Sequence, residues 1–366
     1  MNKHQKHSHL NRRNNDFFAT NEIAILGTKC DVISELIHKV SVKLSQYKLG
    51  YFDASHAKDV IPSTLSEFTF HHEGNVQISS FQKVNSYQQR LDFAQFDFLF
   101  INGNHFEGTK QILILDQEKE ASVLKRTSQL TDIQGVIKLK KETPIFPFLI
   151  EKFPEIKNIP CFSIDEIDKI SSLIHQIIQQ KTAKIKGLIL IGGKSKRMGT
   201  NKSLLEFHGK PQKDVAKDLL QNNHLETYFS VANSSENESE ISDTFLNLGP
   251  FGGICSAFQK DPNSAWFVLA TDLPFIDDAL IKLLLEKRNS SKVATAIKGK
   301  NKEFVEPLIT IYEPKAYPIL LQYLAQGYSC PRKMLINSDV EIVEIEDDLI
   351  RNINTPEEFE AAKKEI

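Results

Sequence analysis

Residues 187–202 read GLILIGGKSKRMGTNK, and the organisation of the second half of the chain follows from this stretch. Its first five residues are apolar and predict a buried β-strand, Gly187–Ile191. Gly192 and Gly193 follow, and glycines placed after a buried strand let the backbone approach a ligand closely. Successive N–H groups in such a turn form an anion-binding nest. The stretch therefore predicts an α/β fold with a phosphate-binding loop after this strand.

Four cations crowd the same loop: Lys194, Lys196, Arg197 and Lys202. A nucleoside triphosphate with Mg2+ needs this combination of backbone donors and positive charge, since arginine grips phosphate oxygens in a fork and lysine acts as a point charge. The pattern GxxxxGK[ST] is absent, so this is not a Walker loop. A solvated basic loop joining a strand to a helix is the alternative interpretation.

Beyond the loop, short apolar runs alternate with helical periodicities through the second half of the chain. This alternation is typical of a three-layer α/β/α domain. The predicted strands are Gly187–Ile191, Tyr228–Ala232, Trp266–Ala270, Val293–Ile297, Leu308–Tyr312 and Val340–Ile345. The predicted helices are Lys213–Gln221, Gly252–Gln259, Asp277–Lys287, Pro314–Ala325 and Pro356–Lys364. The polar, lysine-rich stretch Gln179–Lys186 predicts a linker before this domain.

The order GG-x-S-x-RMG-x-N-K-x-LL, followed by Gly209-Lys210-Pro211, resembles the signature of the molybdenum cofactor guanylyltransferase family, which builds the guanine dinucleotide of molybdopterin. Three later blocks match that family in order: Asn247–Ile254 (a GP-x-GG turn), Trp266–Phe275 (a strand ending in x-D-x-P-F) and Asn352–Glu358 (an N-I-NTPE segment). The resemblance covers residues 184–366. It implies a Rossmann-like nucleotidyltransferase fold, the fold of the nucleotide-diphospho-sugar transferases.

The resemblance also implies the roles of individual residues. The implied catalytic residues are Arg197, Lys202 and Asp272. Asp272 would hold Mg2+ at the carboxyl end of a strand, where α/β sheets bind ligands. The implied nucleotide-binding residues are Leu190, Ile191, Gly192, Gly193, Ser195, Lys202, Asn233, Asp243, Gly249 and Asp272. A helix N-cap is the alternative for Asp272, and more so for Asp277.

The implied reaction transfers GMP from GTP to the molybdopterin cofactor and releases pyrophosphate. Cytidylyl and sugar-phosphate relatives usually carry Ala-Gly where this chain has Gly192-Gly193, which favours GTP. A cytidylyl or sugar-phosphate nucleotidyltransferase of the same fold stays open. So does a non-catalytic accessory protein that binds the nucleotide or the cofactor.

The first half predicts two segments. Residues 1–20 are basic and have little to bury, so we expect a disordered tail. Residues 21–181 predict an α/β domain, with strands at Glu22–Leu26, Gly50–Asp53, Phe96–Ile101 and Ile112–Leu115 and an amphipathic helix over 163–180.

This domain resembles the GTP-binding accessory protein of molybdopterin-guanine dinucleotide synthesis, but its phosphate loop is degraded. The expected GK[ST] falls on or near Asp31, Val32 and Ile33. Without that lysine and hydroxyl the usual cradle for phosphates and Mg2+ is missing, so we expect no GTP hydrolysis here. Remnant-pocket candidates are Lys29, Asp53, Asn104 and His105, with ordinary surface or capping roles as the alternative. This half is expected to hold molybdopterin or to dock a molybdoenzyme or a cofactor-carrier protein.

Composition sets the outer limits. The 366 residues include 45 Lys+Arg and 47 Asp+Glu, a formal net charge of -2 that argues against a nucleic-acid partner. At roughly 100–200 residues per domain the length predicts two domains. No apolar run approaches the ~20 residues of a membrane span, so no membrane partner is expected. The four cysteines form no CxxC pair, which favours a cytoplasmic protein without a disulfide scaffold.

Overall fold

The computed structural model describes residues 9–56, 65–71, 74–81, 83–191, 205–207, 209–233, 236–351, 353 and 355–365. The chain divides into two compact units. The amino-terminal unit is Asn15–Lys181, and the carboxy-terminal unit is Thr182–Ile366 together with the segment that ends at Asn14. In the described parts of the chain, no helix has the length and apolar character that a membrane crossing requires.

The amino-terminal unit is a parallel six-stranded sheet with helices on both faces. Its strands are β1 (Glu22–Leu26), β2 (Leu49–Phe52), β5 (Phe98–Asn102), β6 (Gln111–Leu115), β7 (Ile133–Lys138) and β8 (Cys161–Ser163), in the spatial order β2-β5-β1-β6-β7-β8. An antiparallel hairpin, β3 (Glu67–Phe70) and β4 (Val76–Ser79), lies outside this sheet and is exposed. The helices are α1 (Cys30–Lys43), α2 (Ser86–Phe93), α3 (Glu120–Lys125), α4 (Pro147–Lys152) and α5 (Ile167–Gln180).

Alternating side chains of the central strand β1 explain the three layers. Ile23 and Ile25 belong to the core that also contains Ile33 and Ile37 of α1 and the isoleucines of α5. Leu26 enters a second core on the other face. All five residues of β1 are buried, as a strand covered on both faces requires.

The carboxy-terminal unit is a mixed seven-stranded sheet, ordered β11-β10-β9-β12-β14-β13-β15. Its strands are β9 (Ile185–Leu190), β10 (Glu226–Val231), β11 (Glu240–Ser242), β12 (Ala265–Ala270), β13 (Ala294–Gly299), β14 (Glu306–Tyr312) and β15 (Val340–Ile345). Its helices are α6 (Gln212–Asn222), α7 (Pro250–Lys260), α8 (Asp278–Glu286), α9 (Ala316–Ala325), α10 (Pro331–Ile336) and α11 (Pro356–Glu365).

Alternation along β12 again gives one core on each face. Trp266 and Val268 pack in one core, Phe267 and Leu269 in the other. The predicted α/β/α class is therefore confirmed in both units. Strand β14 runs antiparallel to both β12 and β13, which the sequence pattern did not predict. The short connection between β13 and β14 explains this direction, because a parallel neighbour needs a long crossover.

The segment 9–20, which we expected to be part of a disordered tail, has defined contacts. The Asn14 backbone N–H donates to Asn263 Oδ1 at 2.7 Å, and Asn263 Nδ2 donates to the Arg12 carbonyl at 3.0 Å. In the amino-terminal unit, the buried Glu22 carboxylate accepts the N–H groups of Phe17, Phe18 and Ala19. Most of these bonds use backbone groups, so the composition of the segment could not reveal them.

Candidate functional site

The site is built where the carboxyl ends of β9 and β12 lie side by side. The two strands are parallel, and Leu190 pairs with Ala270 in register. From β9 the chain runs outward to β10 and β11 and then returns to β12 on the other side of β9. Such a reversal of strand order opens a crevice at the carboxyl edge of an α/β sheet, where ligands bind.

Asp272 lies at this edge, two residues beyond the end of β12, and is partly buried. Its backbone carbonyl accepts the N–H of Ile353 at 3.0 Å. The x-D-x-P-F block and the N-I-NTPE block, which are 80 residues apart, therefore meet at Asp272. Asp277 is a separate case: it caps α8, with its carboxylate accepting the Leu280 N–H at 2.8 Å.

A small apolar cluster joins three of the four sequence blocks. Its members come from the segment after the basic loop, from the x-D-x-P-F block and from the carboxy-terminal segment: Phe207, Ile353 and Ala362, packed with Leu205, Phe275 and Phe359. The Leu205 carbonyl also accepts the Gln212 N–H at 2.9 Å at the start of α6. The cluster therefore holds the segment that follows the basic loop close to Asp272.

The GP turn leads into α7 with unusual backbone angles. Asn247 has φ +63°, and Gly249, the residue before the helix, has φ +59° and ψ −138°. A side chain would be strained in the Gly249 conformation, although a Cβ there would meet open space. Pro250 occupies the first helical turn, where its missing N–H costs nothing. Since α7 follows β11, its amino end lies at the carboxyl edge of the sheet.

Asp243 braces this turn. Its Oδ1 accepts the Phe245 N–H at 2.9 Å and lies 3.0 Å from Ser256 Oγ of α7. The carboxylate is thus engaged with its own loop and helix. Sequence reasoning did not single out Ser256, which is buried and also bonds the Gly252 carbonyl at 2.7 Å. A serine within an apolar helix carries little signal in the sequence.

The other predicted nucleotide residues divide into described and undescribed ones. Leu190 and Ile191 are partly buried and pack against opposite cores of the sheet. Asn233, just beyond β10, is exposed at the same edge. Gly192, Gly193, Ser195, Arg197 and Lys202 lie outside the described residues. The roles of all these residues stay predictions.

One buried group at this edge can be assigned by its chemistry. Burial, with a smaller effect from Asp243, raises the pKa of the Cys255 thiol to about 12. The Cys255 side chain in α7 is fully buried, and its thiol stays protonated at neutral pH. It is therefore a packing residue and not a nucleophile.

In the amino-terminal unit, the residues predicted to line a remnant pocket do not all lie in one place. Lys29 pairs with Glu118 at 3.7 Å and lines a pocket of about 430 Å³ together with Thr28 and Asp116. Asp53 and His105 instead lie together beyond β2 and β5, with Asp53 Oδ1 2.7 Å from His105 Nδ1. Asn104 Nδ2 donates to the Thr28 carbonyl at 2.8 Å. Sequence reasoning missed two neighbours of this group, Cys30 and His56. The available signal was that each follows the carboxyl end of a strand.

Residues 187–341 match the family described as MobA-like NTP transferase domain. A molybdenum cofactor biosynthesis bifunctional protein from Synechocystis is 32% identical over 181 residues, which are 47% of this chain and 52% of that protein, so the chain spans about half of it. Probable molybdenum cofactor guanylyltransferases from Natranaerobius thermophilus and Carboxydothermus hydrogenoformans are both 30% identical, over 50% and 48% of this chain and 97% and 93% of the relatives.

Among solved structures, molybdopterin-guanine dinucleotide biosynthesis protein A from Archaeoglobus fulgidus matches 49% of this chain and 97% of its own, with 24% identity and a TM-score of 0.41. Bacillus subtilis MobB matches 42% of this chain and 97% of its own, with 16% identity and a TM-score of 0.30. Because the chain spans nearly the full length of relatives that are 30% identical to it, it belongs to the molybdenum cofactor guanylyltransferase family of nucleotidyltransferases.

Proposed function

We propose that this chain transfers the GMP group of GTP to the molybdopterin cofactor, giving its guanine dinucleotide form and pyrophosphate. One observation carries the proposal: Leu190 pairs with Ala270, so the strand that precedes the basic glycine loop ends beside Asp272 at the reversal of strand order. A loop rich in donors and cations next to a carboxylate is the arrangement that a triphosphate with a divalent metal requires.

The reaction needs one displacement at phosphorus. A terminal phosphate oxygen of molybdopterin attacks the α-phosphorus of GTP, and the bond from that phosphorus to the bridging oxygen of the leaving pyrophosphate breaks. Positioning and neutralisation of charge supply most of the catalysis in such transfers. Arg197 and Lys202, assigned from the sequence, would neutralise the triphosphate as pyrophosphate leaves. No side-chain nucleophile is required.

Asp272 fits the role of metal ligand. It offers a partly buried carboxylate at the carboxyl edge, and Mg2+ prefers oxygen ligands while keeping waters and binding substrate phosphates. Its backbone is held by the Ile353 N–H and by the apolar cluster around Phe275. Asp272 would thus present its carboxylate from a fixed backbone. When bound, Mg2+ supplies a positive charge against the phosphate oxygens.

The nucleoside would lie against the GP turn. Gly249 leaves open space where a side chain would stand, so a planar base can approach the backbone closely. Asn233 is exposed at the same edge and can offer both donor and acceptor. Asp243 would act through the turn that it braces, because its carboxylate already accepts the Phe245 N–H.

The test is the nucleotide dependence of pyrophosphate release, measured with the full chain, Mg2+ and molybdopterin. We expect turnover with GTP and little with CTP, ATP or UTP. A preference for CTP, or for a sugar phosphate over molybdopterin, would overturn the substrate assignment. No turnover with any nucleotide would favour the non-catalytic interpretation.

A matched pair of variants tests Asp272. Asp272→Asn should lower kcat by about 10²–10³-fold, the usual cost of losing one electrostatic contact to the transition state. Asp277→Asn removes the same charge five residues away. It should leave kcat and stability near wild type, because asparagine caps a helix as well as aspartate does. Equal activity of the two variants would refute the role of Asp272.

A further inference from the structure

Three residues of the amino-terminal unit bring potential metal ligands together. Ligand atoms of Cys30, His56 and His105 all lie within 4.8 Å of one another. Cys30 Sγ is 3.8 Å from His105 Nε2 and 4.0 Å from His56 Nε2. The three residues follow the carboxyl ends of β1, β2 and β5, which are adjacent strands. They therefore converge where an α/β sheet binds ligands.

Asp53 orients one of the two imidazoles. Its Oδ1 is 2.7 Å from His105 Nδ1, which leaves Nε2, 3.8 Å from Cys30 Sγ, as the nitrogen that a metal could bind. Metal-binding histidines commonly have such a carboxylate partner on the nitrogen that does not bind the metal. Asp53 is itself held by the Tyr51 hydroxyl at 2.6 Å and by Asn102 Nδ2 at 3.0 Å.

Both oxygens of the Asp53 carboxylate are engaged. Tyr51 and Asn102 donate to Oδ2, and Oδ1 lies against His105 Nδ1. A carboxylate with its oxygens occupied in this way is a positioning residue for His105 rather than a metal ligand.

Cys30 is the first residue of α1, a helix of 14 residues. A metal-bound sulfur at this position would lie at the positive end of the helix dipole. Asn104 Nδ2 lies 3.6 Å from the Cys30 sulfur and donates toward it. Metal binding would release the thiol proton to solvent.

The two sulfur–nitrogen distances are close to those around a tetrahedral ion. Bond lengths of about 2.3 Å to sulfur and 2.0–2.1 Å to nitrogen place sulfur and nitrogen about 3.6 Å apart on a tetrahedron. The observed separations of 3.8 and 4.0 Å are within a few tenths of an ångström of that value. One thiolate with two imidazoles suits Zn2+, whereas Mg2+ and Ca2+ prefer oxygen ligands.

We propose that Cys30, His56 and His105 form a Zn2+ site with Asp53 as its outer positioning residue. Three protein ligands leave a fourth position for water or for a donor atom of a second molecule. His56 is exposed, and Cys30 and His105 are partly exposed, so an ion can reach the site from solvent. The degraded phosphate loop has, on this proposal, been replaced by a metal site at the same edge of the sheet.

The test titrates the reduced, metal-free full chain with Co2+ as a spectroscopic probe for Zn2+. We expect a thiolate-to-cobalt charge-transfer band, intense visible bands of tetrahedral Co2+, saturation of the charge-transfer band at one ion per chain, and loss of all of these on adding Zn2+. Cys30→Ser should remove the charge-transfer band. Asp53→Asn should keep the band but weaken Zn2+ binding about 10–100-fold, the effect of losing an outer partner.

Matched controls are Cys161→Ser and His38→Gln, which change an exposed cysteine and an exposed histidine of the same unit. Both should titrate as wild type does. Absence of the charge-transfer band in the wild type, or its loss in Cys161→Ser, would overturn the proposal.

A measurement on the unmutated chain covers variants that fail to fold. Bound Zn2+ should slow alkylation of Cys30 by iodoacetamide and leave the rate at Cys161 unchanged, as followed by peptide mass spectrometry. Equal rates at Cys30 with and without Zn2+ would refute the site.

Discussion

Replacing Gly252 with alanine is expected to destabilise the carboxy-terminal unit, because the added methyl group would stand too close to the preceding turn. A Cβ at Gly252 would lie 2.4 Å from the Phe245 carbonyl oxygen and 3.0 Å from each carboxylate oxygen of Asp243. Carbon and oxygen atoms in contact are normally about 3.3–3.6 Å apart, so the turn would have to move by about 1 Å. The turn resists, because the Phe245 N–H and Ser256 both bond Asp243.

The magnitude follows from two opposing effects. Overpacking by one methyl group costs about 1–3 kcal/mol. The better helix propensity of alanine returns up to about 1 kcal/mol. We therefore expect a net loss of about 1–2 kcal/mol in the free energy of unfolding. The single tryptophan, Trp266, is buried in β12, so its fluorescence in a urea titration reports this unit. Displacement of the turn should also raise the KM for GTP.

Gly253→Ala is the matched comparison, one residue along the same helix. There the nearest atoms are side-chain ends, Ser230 Oγ at 2.6 Å and Leu190 Cδ2 at 3.1 Å, and these can rotate away. We expect a smaller loss, which Ser230→Ala should largely relieve in the double variant. A Gly252→Ala protein with the wild-type urea midpoint, or equal losses for both glycines, would refute the steric argument.

Three further predictions concern strain, charge and pH. Gly249→Ala should cost about 1–3 kcal/mol through backbone strain alone, measured as a lower urea midpoint, since its Cβ meets no atom. Glu313→Gln should lower the free energy of unfolding by about 3–5 kcal/mol, because the Arg288 guanidinium, 2.7 Å from this buried carboxylate, would lose its counter-charge. Lys282→Gln breaks an exposed ion pair and should lower it by less than about 0.5 kcal/mol. Similar losses for the two variants would contradict this reasoning. The pKa of Asp53 is lowered to about 2 from 3.8, so its contribution to stability is complete above about pH 4 and is lost as the pH falls toward 2. Asp53→Asn should therefore reduce the loss of stability between pH 4 and pH 2, measured by hydrogen exchange of β1. An unchanged dependence of stability on pH would exclude Asp53 as the cause.

Elements of the fold that depend on local pattern could be predicted from the amino-acid sequence. Gly187–Ile191 and Trp266–Ala270 are apolar runs of strand length, and both are central strands in the structure. The GP-x-GG turn was expected to lead into a helix over Gly252–Gln259, and α7 begins two residues earlier, at Pro250, because proline is tolerated in the first turn. For Asp277 the structure shows the helix cap that was given as its alternative interpretation. The short strand β11 and the exposed hairpin β3–β4 have weaker patterns and were not predicted.

Contacts between residues that are distant in the sequence could not be predicted in this way. The contact of Asp272 with Ile353 and the gathering of Cys30, His56 and His105 depend on the order of strands in the two sheets. The antiparallel direction of β14 likewise depends on how the chain returns across the sheet. Periodicity records which face of an element is apolar, a property of neighbours along the chain. Strand order is fixed by how those faces pack together, and that packing joins residues far apart in the sequence.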